Sequence, residues 1–315
     1  MSLELLKHVN THYPNTLKAI AHNTQQFLCY LPDYQTIEIS GEDNNTFLQN
    51  LLSNDVLLLQ EGKCQYSCLC NAKGRIIATF HLLKMSQKYI LILPKTMVEM
   101  VSKKLQMYRL RSKIEIISDT YIIFGLSNVA NSQAFSIPET QLSYLLTSKE
   151  KAIELWDNLS KDYSPSSPVN WQYHLISNSI ADIIPQTSEL FLLQQVNIDL
   201  VNGVSFKKGC YPGQEIIARL HYLGKSKQRA IIGSFKLESL PAPGDKIYTI
   251  DKAPIGNIVS SVFIDTYTDT DTDTVLALLS LKLNKISHQY LLNENEITVN
   301  PIPCEINNQI LEPLQ

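Results

Sequence analysis

The chain has 315 residues, of which 44% are apolar and 18% charged, with a formal net charge of −3. That length supports two or three packed units with real cores, and the composition excludes an intrinsically disordered chain. The net charge excludes a global nucleic-acid signature, so any basic site has to be local.

Charges interrupt the apolar stretch at Met1–His8, unlike a signal peptide, and no apolar run approaches the roughly 20 residues that span a bilayer. A cytoplasmic location without membrane contact is the expectation. The six cysteines, Cys29, Cys64, Cys68, Cys70, Cys210 and Cys304, are then expected to stay reduced.

In chain order, residues 1–30 read as a helical or irregular lead-in. Gln35–Gly41 alternates as a strand, and Glu42–Leu59 carries helical spacing at Phe47, Leu48, Leu51 and Leu52, with Asp43 or Asn44 as cap. Gln65–Leu69 and Arg75–Leu83 form a hairpin around Asn71-Ala72-Lys73-Gly74. Tyr89–Leu93 is a strand, Met97–Tyr108 a helix, Ile114–Ile117 a strand and Tyr121–Leu126 a buried strand. Ala152–Leu159 is amphipathic, and Trp156, Trp171 and His81 read as core. Ser164–Pro168 reads as a turn or surface loop.

The fold class is therefore α+β. Residues 1–230 are expected to make two α+β subunits that split near 130, and 231–315 a small β-barrel of short strands. The Thr268–Thr274 tract of alternating Thr and Asp lacks the glycine and distal glutamate of a calcium loop and reads as a solvated hairpin loop.

The densest chemistry lies in 203–229. Gly203–Phe206 reads as a short strand, Lys207-Lys208-Gly209 as a turn, Pro212 as a first helical residue, and Gln214–Leu220 as a helix stopped by Leu223-Gly224. This puts Cys210 near a helix N-terminus and two lysines, surroundings that favour a thiolate. From 201 to 236 seven basic residues face one acid, a net of +6 that leaves −9 for the rest. A second basic cluster is Lys103, Lys104, Arg109, Arg111 and Lys113, and Lys73 and Arg75 flank the hairpin turn. A carboxylate tail, a phosphate or an RNA backbone would each suit such sites, as would plain solvent. Glu215 and Arg219, four apart on one helical face, suit either an internal pair or a ligand.

Lys208-Gly209-Cys210-Tyr211-Pro212-Gly213-Gln214-Glu215, followed by Arg219, resembles the K-G-C-[YF]-x-G-Q-E signature of the YgfZ family of folate-binding, T-protein-like proteins. His221-Tyr222-Leu223-Gly224-Lys225 continues the likeness, and Gly41–Asp43 with Phe47–Val56, the Cys70–Arg75 turn, and Gln194, Asn197 and Gly203 extend it over roughly 35–260, with Leu193 where the family often has proline. The resemblance implies a T-protein-like fold: two α+β units around a central channel that holds tetrahydrofolate, plus a C-terminal antiparallel β-barrel. It implies a role in assembling or repairing iron–sulfur proteins, including tRNA-modifying enzymes, with folate, iron–sulfur assembly proteins or client enzymes as partners. Cys210 carries over as a reactive thiol or ligand. Lys208, Gly209, Tyr211, Gly213, Gln214, Glu215, Arg219, Gln194, Asn197, Lys73 and Arg75 carry over as folate-binding candidates.

Three alternatives stay open. An aminomethyltransferase, a folate-dependent one-carbon transferase, needs a carboxylate at the reaction centre, for which Asp55 or Glu215 is available. Cys64, Cys68 and Cys70 share one strand face, but their spacing departs from the usual metal knuckle, so no resident metal is expected. Tyr66, Tyr108, Tyr211 and Tyr222 lie near basic residues and could stack bases, yet the acidic net charge argues against direct tRNA binding.

Overall fold

A computed structural model of the protein describes residues 2–13, 26–128, 133–265 and 273–312. Its helices are α1 (Ser2–His12), α2 (Asn44–Gln49), α3 (Val98–Arg109), α4 (Ala152–Leu159), α5 (Pro168–Ser177), α6 (Gln214–Tyr222) and α7 (Glu305–Leu311). The first ten strands are β1 (Phe27–Tyr30), β2 (Tyr34–Ser40), β3 (Cys64–Cys70), β4 (Ile76–Met85), β5 (Lys88–Pro94), β6 (Glu115–Ser118), β7 (Ile122–Ser127), β8 (Phe135–Ser136), β9 (Leu142–Thr147) and β10 (Ser164–Ser166). The rest are β11 (Gln228–Leu237), β12 (Lys246–Tyr248), β13 (Pro254–Asp265), β14 (Asp273–Lys282), β15 (Gln289–Leu292), β16 (Asn295–Thr298) and β17 (Asn300–Pro301). Two compact units divide the chain: Met1–Ser67 with Phe80–Trp171, and Cys68–Thr79 with Gln172–Gln315.

The first unit carries the five-stranded sheet β10-β1-β7-β9-β8 and most of a second, β3-β4-β5-β2-β6, whose β3–β4 turn end, Cys68–Thr79, belongs to the second unit. Leu5, Leu28, Phe124, Leu126, Leu145 and Trp156 form one core, in which α1 and α4 bury their apolar stripes against β1, β7 and β9. Trp171 is buried, and His81 is buried with its Nδ1 3.0 Å from the Tyr144 hydroxyl. All three residues expected in the core are there.

Three local expectations are corrected. The helix expected over 42–59 is only α2 plus a 3-10 turn at Val56–Leu58. The polar triplet between them competes for the backbone: the Ser67 hydroxyl accepts from the Asn54 N–H at 3.2 Å, and Asp55 accepts from the Leu57 N–H at 3.1 Å. Asp43 stands at the N-cap of α2, but its carboxylate accepts from the Lys113 N–H at 2.7 Å instead of capping. The loop expected at 164–168 holds β10, which pairs in parallel with β1 at a sheet edge, where Pro165 is tolerated, while Pro168 opens α5.

The second unit is dominated by one antiparallel sheet ordered β16-β15-β12-β13-β14-β11-β17. Its terminal strands are joined through Val299 alone, so the sheet curls until its two edges meet. Ile231, Phe235, Ile258, Leu279, Tyr290 and Ile297 fill the interior. Asn307 of α7 is buried and clamps β11, donating to the Ile232 carbonyl at 2.6 Å and accepting from the Ile232 N–H at 3.0 Å. This matches the expected barrel-like, antiparallel C-terminal part of an α+β fold. The Thr268–Thr272 portion of the Thr–Asp tract lies outside the described residues.

Candidate functional site

The signature lies in the second unit, and its geometry begins at the 71–75 turn. Asn71 organises that turn: its side-chain oxygen accepts from the N–H groups of Lys73 at 2.9 Å and Arg75 at 3.1 Å, and its carbonyl accepts from Gly74 at 3.0 Å. Arg75 ties the turn to the 189–192 segment, its Nη1 donating to the Leu190 carbonyl at 2.6 Å. Lys73 stays exposed.

The signature loop docks on this turn backbone to backbone. Gly213 has φ +81°, and a β-carbon there would lie 2.5 Å from the Asn71 carbonyl oxygen and 2.6 Å from the Gly74 α-carbon. Gly74 itself has φ +72°, and its own β-carbon would approach the Gly213 oxygen at 3.3 Å. Both turns therefore need glycine.

Gly213 then serves as the N-cap of α6, so Pro212 sits outside the helix rather than at its first position. The expected strand at Gly203–Phe206 is absent, because this segment is spent on other contacts. The Gly203 N–H donates to the Ile198 carbonyl at 2.8 Å, and Phe206 stacks on His221 with ring centroids 3.7 Å apart.

The loop sorts its side chains by environment. Lys208 is only 7% exposed, and its ammonium lies 5.1 Å from the centroid of the buried Tyr211 ring, a cation–π contact. The Tyr211 hydroxyl is buried without a hydrogen-bond partner. Burial, reinforced by the neighbouring thiols of Cys68 and Cys70, pushes this phenol well above its ordinary range, so it stays protonated. Cys68 and Cys70 face the same side of β3 with sulfurs 3.7 Å apart. The Cys68 hydrogen bond, followed by burial, raises the Cys70 thiol well above its usual value. Cys210 and Gly209 are exposed, as are Glu215 and Arg219 on the outer face of α6. The Gln214 side chain donates to the Lys208 carbonyl at 3.5 Å. Cys210 is the one exposed cysteine; burial raises the thiols of Cys29 and Cys64, and the Cys304 sulfur accepts from the Asn307 N–H.

Gln194 and Asn197 lie on the 3-10 turn Leu193–Val196 and its C-cap. Gln194 is 2% exposed; its Nε2 donates to the Ile217 carbonyl of α6 at 2.9 Å, while its Oε1 is buried with no partner. Asn197 takes the left-handed conformation at φ 61° and spends its amide internally, donating to Ser179 Oγ at 3.1 Å and the Ala230 carbonyl at 2.8 Å. Arg229 pins the turn, bidentate to Asp199 at 2.6 and 2.9 Å and donating to the Gln194 carbonyl at 3.1 Å.

Structure thus gathers Lys208, Tyr211, Gly213, Gln214, Gln194, Lys73 and Arg75 around the turn and leaves Cys210 on its surface. Sequence reasoning placed Asn71 in the turn but missed its organising role, along with the Asp199–Arg229 clamp and the Phe206–His221 stack. Only Asn71, two residues before the exposed Lys73, carried a local signal, as an Asx-turn former. In the first unit, the second basic cluster is partly neutralised, with Lys103 on Glu99 and Lys113 on Glu42, while Arg111 lines an open cavity of ≈ 890 Å³ with Phe47, Asn50, Tyr108 and Leu110.

Among the described residues no helix is long and apolar enough to cross a membrane. Residues 23–127 match the GCVT N-terminal domain. The chain is 27% identical over 243 residues to the tRNA-modifying protein YgfZ of Vibrio atlanticus, covering 70% of this chain and 75% of that one. It is 28% identical over 248 residues to the protein of the same name from Colwellia psychrerythraea, covering 70% and 76%. The glycine cleavage system aminomethyltransferase T of Bartonella henselae superposes with a TM-score of 0.67 over 94% of this chain and 88% of that one, at 13% identity, which establishes the fold alone. The chain is thus similar to proteins named YgfZ along most of its length, carries a GCVT N-terminal domain match and has the aminomethyltransferase T fold.

Proposed function

We propose that this protein binds tetrahydrofolate or a derivative and acts as an accessory factor in the assembly or repair of iron–sulfur proteins, tRNA-modifying enzymes among them. The observation that carries this reading is a division of labour in the second unit. One exposed thiol, Cys210, sits on a loop clamped to the 71–75 turn, beside a buried lining with unspent hydrogen-bonding atoms.

The orphaned Gln194 Oε1 is an acceptor, and the orphaned Tyr211 hydroxyl is held in its donating form. Buried groups of this kind are costly unless something pairs with them. A pterin ring offers both N–H donors and a carbonyl, so the residues present fit such a ligand. Gln194 and Tyr211 would hold the ring, and the cations Lys208, Lys73, Arg75 and Arg219 suit the carboxylates of a glutamate tail. Folate supplies one-carbon or reduced-pterin chemistry when bound; the chain's own part is to bind and orient it and to leave Cys210 open to a partner.

The role named for the relatives, tRNA modification, comes to this chain through client enzymes in the cytoplasm. An aminomethyltransferase is less well supported: Asp55 is occupied by the Leu57 N–H and by Gln49 Nε2 at 3.0 Å, and Glu215 stands exposed on α6. The test is complementation of a strain lacking its own copy. Cys210→Ser fails to restore the activity of iron–sulfur tRNA-modifying enzymes, while Cys304→Ser restores it. Full restoration by Cys210→Ser would remove the thiol from the account.

A further inference from the structure

The outer face of α6 is unpartnered. Ile217 is the single buried residue of this helix, while Tyr222 and the following Leu223 are 64% and 82% exposed. Beneath Tyr222 lies a built platform. Phe206 and His221 stack nearly parallel, 11° between planes, and Tyr222 meets His221 edge-on with centroids 4.8 Å apart. Tyr222 also meets Phe206 at 6.1 Å in a T-shaped arrangement and stays 64% exposed.

Cations flank the platform residues in the chain. Lys207 follows Phe206 in the chain, Arg219 precedes Tyr222 by less than one helical turn, and Lys225 and Lys227 follow within five residues; all four are exposed. Among the described residues none of them is held in an ion pair. The overall charge of −3 argues against nucleic acid only if the basic residues are dispersed, and here four exposed cations fall within the 207–227 segment that carries the exposed ring.

We propose that this face of α6 is a docking surface for a short single-stranded RNA segment, with one base stacked on Tyr222 and the flanking phosphates on Lys207, Arg219, Lys225 and Lys227. The ring decides the class of ligand. A polyglutamate tail or an acidic peptide would use the cations but has no flat surface for the phenol, whereas every nucleobase has a π-face. Duplex RNA keeps its bases stacked inside and offers Tyr222 nothing. The surface carries the exposed Cys210 loop at its edge, since Lys207 and Cys210 are three residues apart. None of this depends on folate binding.

Fluorescence anisotropy of a labelled eight-residue oligouridylate on the full chain, without folate, tests the proposal. Four cation contacts at ~0.7 counterions each predict about a 50-fold loss of affinity between roughly 50 and 200 mM salt, and the Lys225→Ala/Lys227→Ala variant about halves the slope. Tyr222→Ala weakens binding by about tenfold, whereas Tyr222→Phe retains it. All these side chains are exposed, so the variants fold, and unchanged circular dichroism checks this. Tyr222→Ala binding as tightly as the native chain would overturn the proposal. So would equal binding of the same strand in a duplex, or equally effective competition by poly-L-glutamate of matched charge, which would mark a carboxylate-polymer site instead. Absence of any binding at low salt overturns it outright.

Discussion

Gly213 and Gly74 meet backbone to backbone, with no room for a β-carbon on Gly213: one added there would sit 2.6 Å from the Gly74 α-carbon. This contact joins the turn after β3 to the loop that presents Cys210, though the two are far apart in the chain. Anything that separates the glycines releases the signature loop from its support.

Gly213→Ala therefore combines a left-handed φ with a backbone collision, and the expected cost is about 2–3 kcal/mol of stability. Gly74→Ala, also left-handed but meeting its nearest neighbours at 3.3 Å, costs about 1 kcal/mol. Urea unfolding of both variants checks the ranking; equal losses would mean the collision is relieved by an easy shift of the loop.

Thiol accessibility follows from burial. In the native protein one equivalent of a thiol reagent reacts fast, and Cys210→Ser abolishes that phase. Cys29, Cys64, Cys68 and Cys70 react only on unfolding, and the half-exposed Cys304 reacts more slowly than Cys210. Two fast equivalents in the native state would show that the Cys68–Cys70 pair is less enclosed than its packing against Tyr211 requires.

The Arg229–Asp199 clamp holds the turn that carries Gln194. Arg229→Lys replaces two parallel hydrogen bonds by a point charge and is expected to lower stability by about 1–2 kcal/mol. Asp199→Ala leaves a half-buried guanidinium without its carboxylate and costs more, about 2–3 kcal/mol. Thermal melts order the two; a neutral Asp199→Ala would show that the clamp contributes nothing net.

His81 sets a pH dependence. Burial lowers its pKa from 6.5 to about 3. Between those values the unfolded chain binds a proton that the folded one does not. Stability therefore rises with pH through this window and is lost as pH falls below about 6.5, by up to about 1.4 kcal/mol per pH unit. Urea midpoints from pH 7 to 4.5 check this, with His81→Phe as reference. The variant is less stable at pH 7 through loss of the Tyr144 hydrogen bond and has a flatter pH profile. Parallel profiles would assign the acid sensitivity to other groups.

The fold was legible in sequence wherever periodicity and turn chemistry agreed. The alternation around Ile37 and Ile39, the Asn71–Gly74 turn and the amphipathic run of α4 all formed as read. Reading failed where side chains compete for the backbone or where partners are distant. Asn54 and Asp55 broke a helical pattern by capping and cross-linking, and Ser164–Ser166 became a strand only because β1 offers a free edge. In the site, the signature residues were recognisable as a string, but their division into exposed Cys210 and buried Tyr211 depends on β3. Asp199–Arg229 and Phe206–His221 bring together residues 30 and 15 positions apart, which no local spacing rule links.

The central claim is that the buried lining beside Cys210 takes up a reduced folate. Anaerobic calorimetric titration of tetrahydrofolate into the native protein, Cys210→Ala and Gln194→Leu tests it most directly. The account predicts saturable binding to the native protein and to Cys210→Ala, and loss of at least about tenfold in affinity for Gln194→Leu, which removes the unspent acceptor. Binding to neither the native protein nor Cys210→Ala would contradict it, leaving the thiol to work on iron–sulfur clients without a pterin.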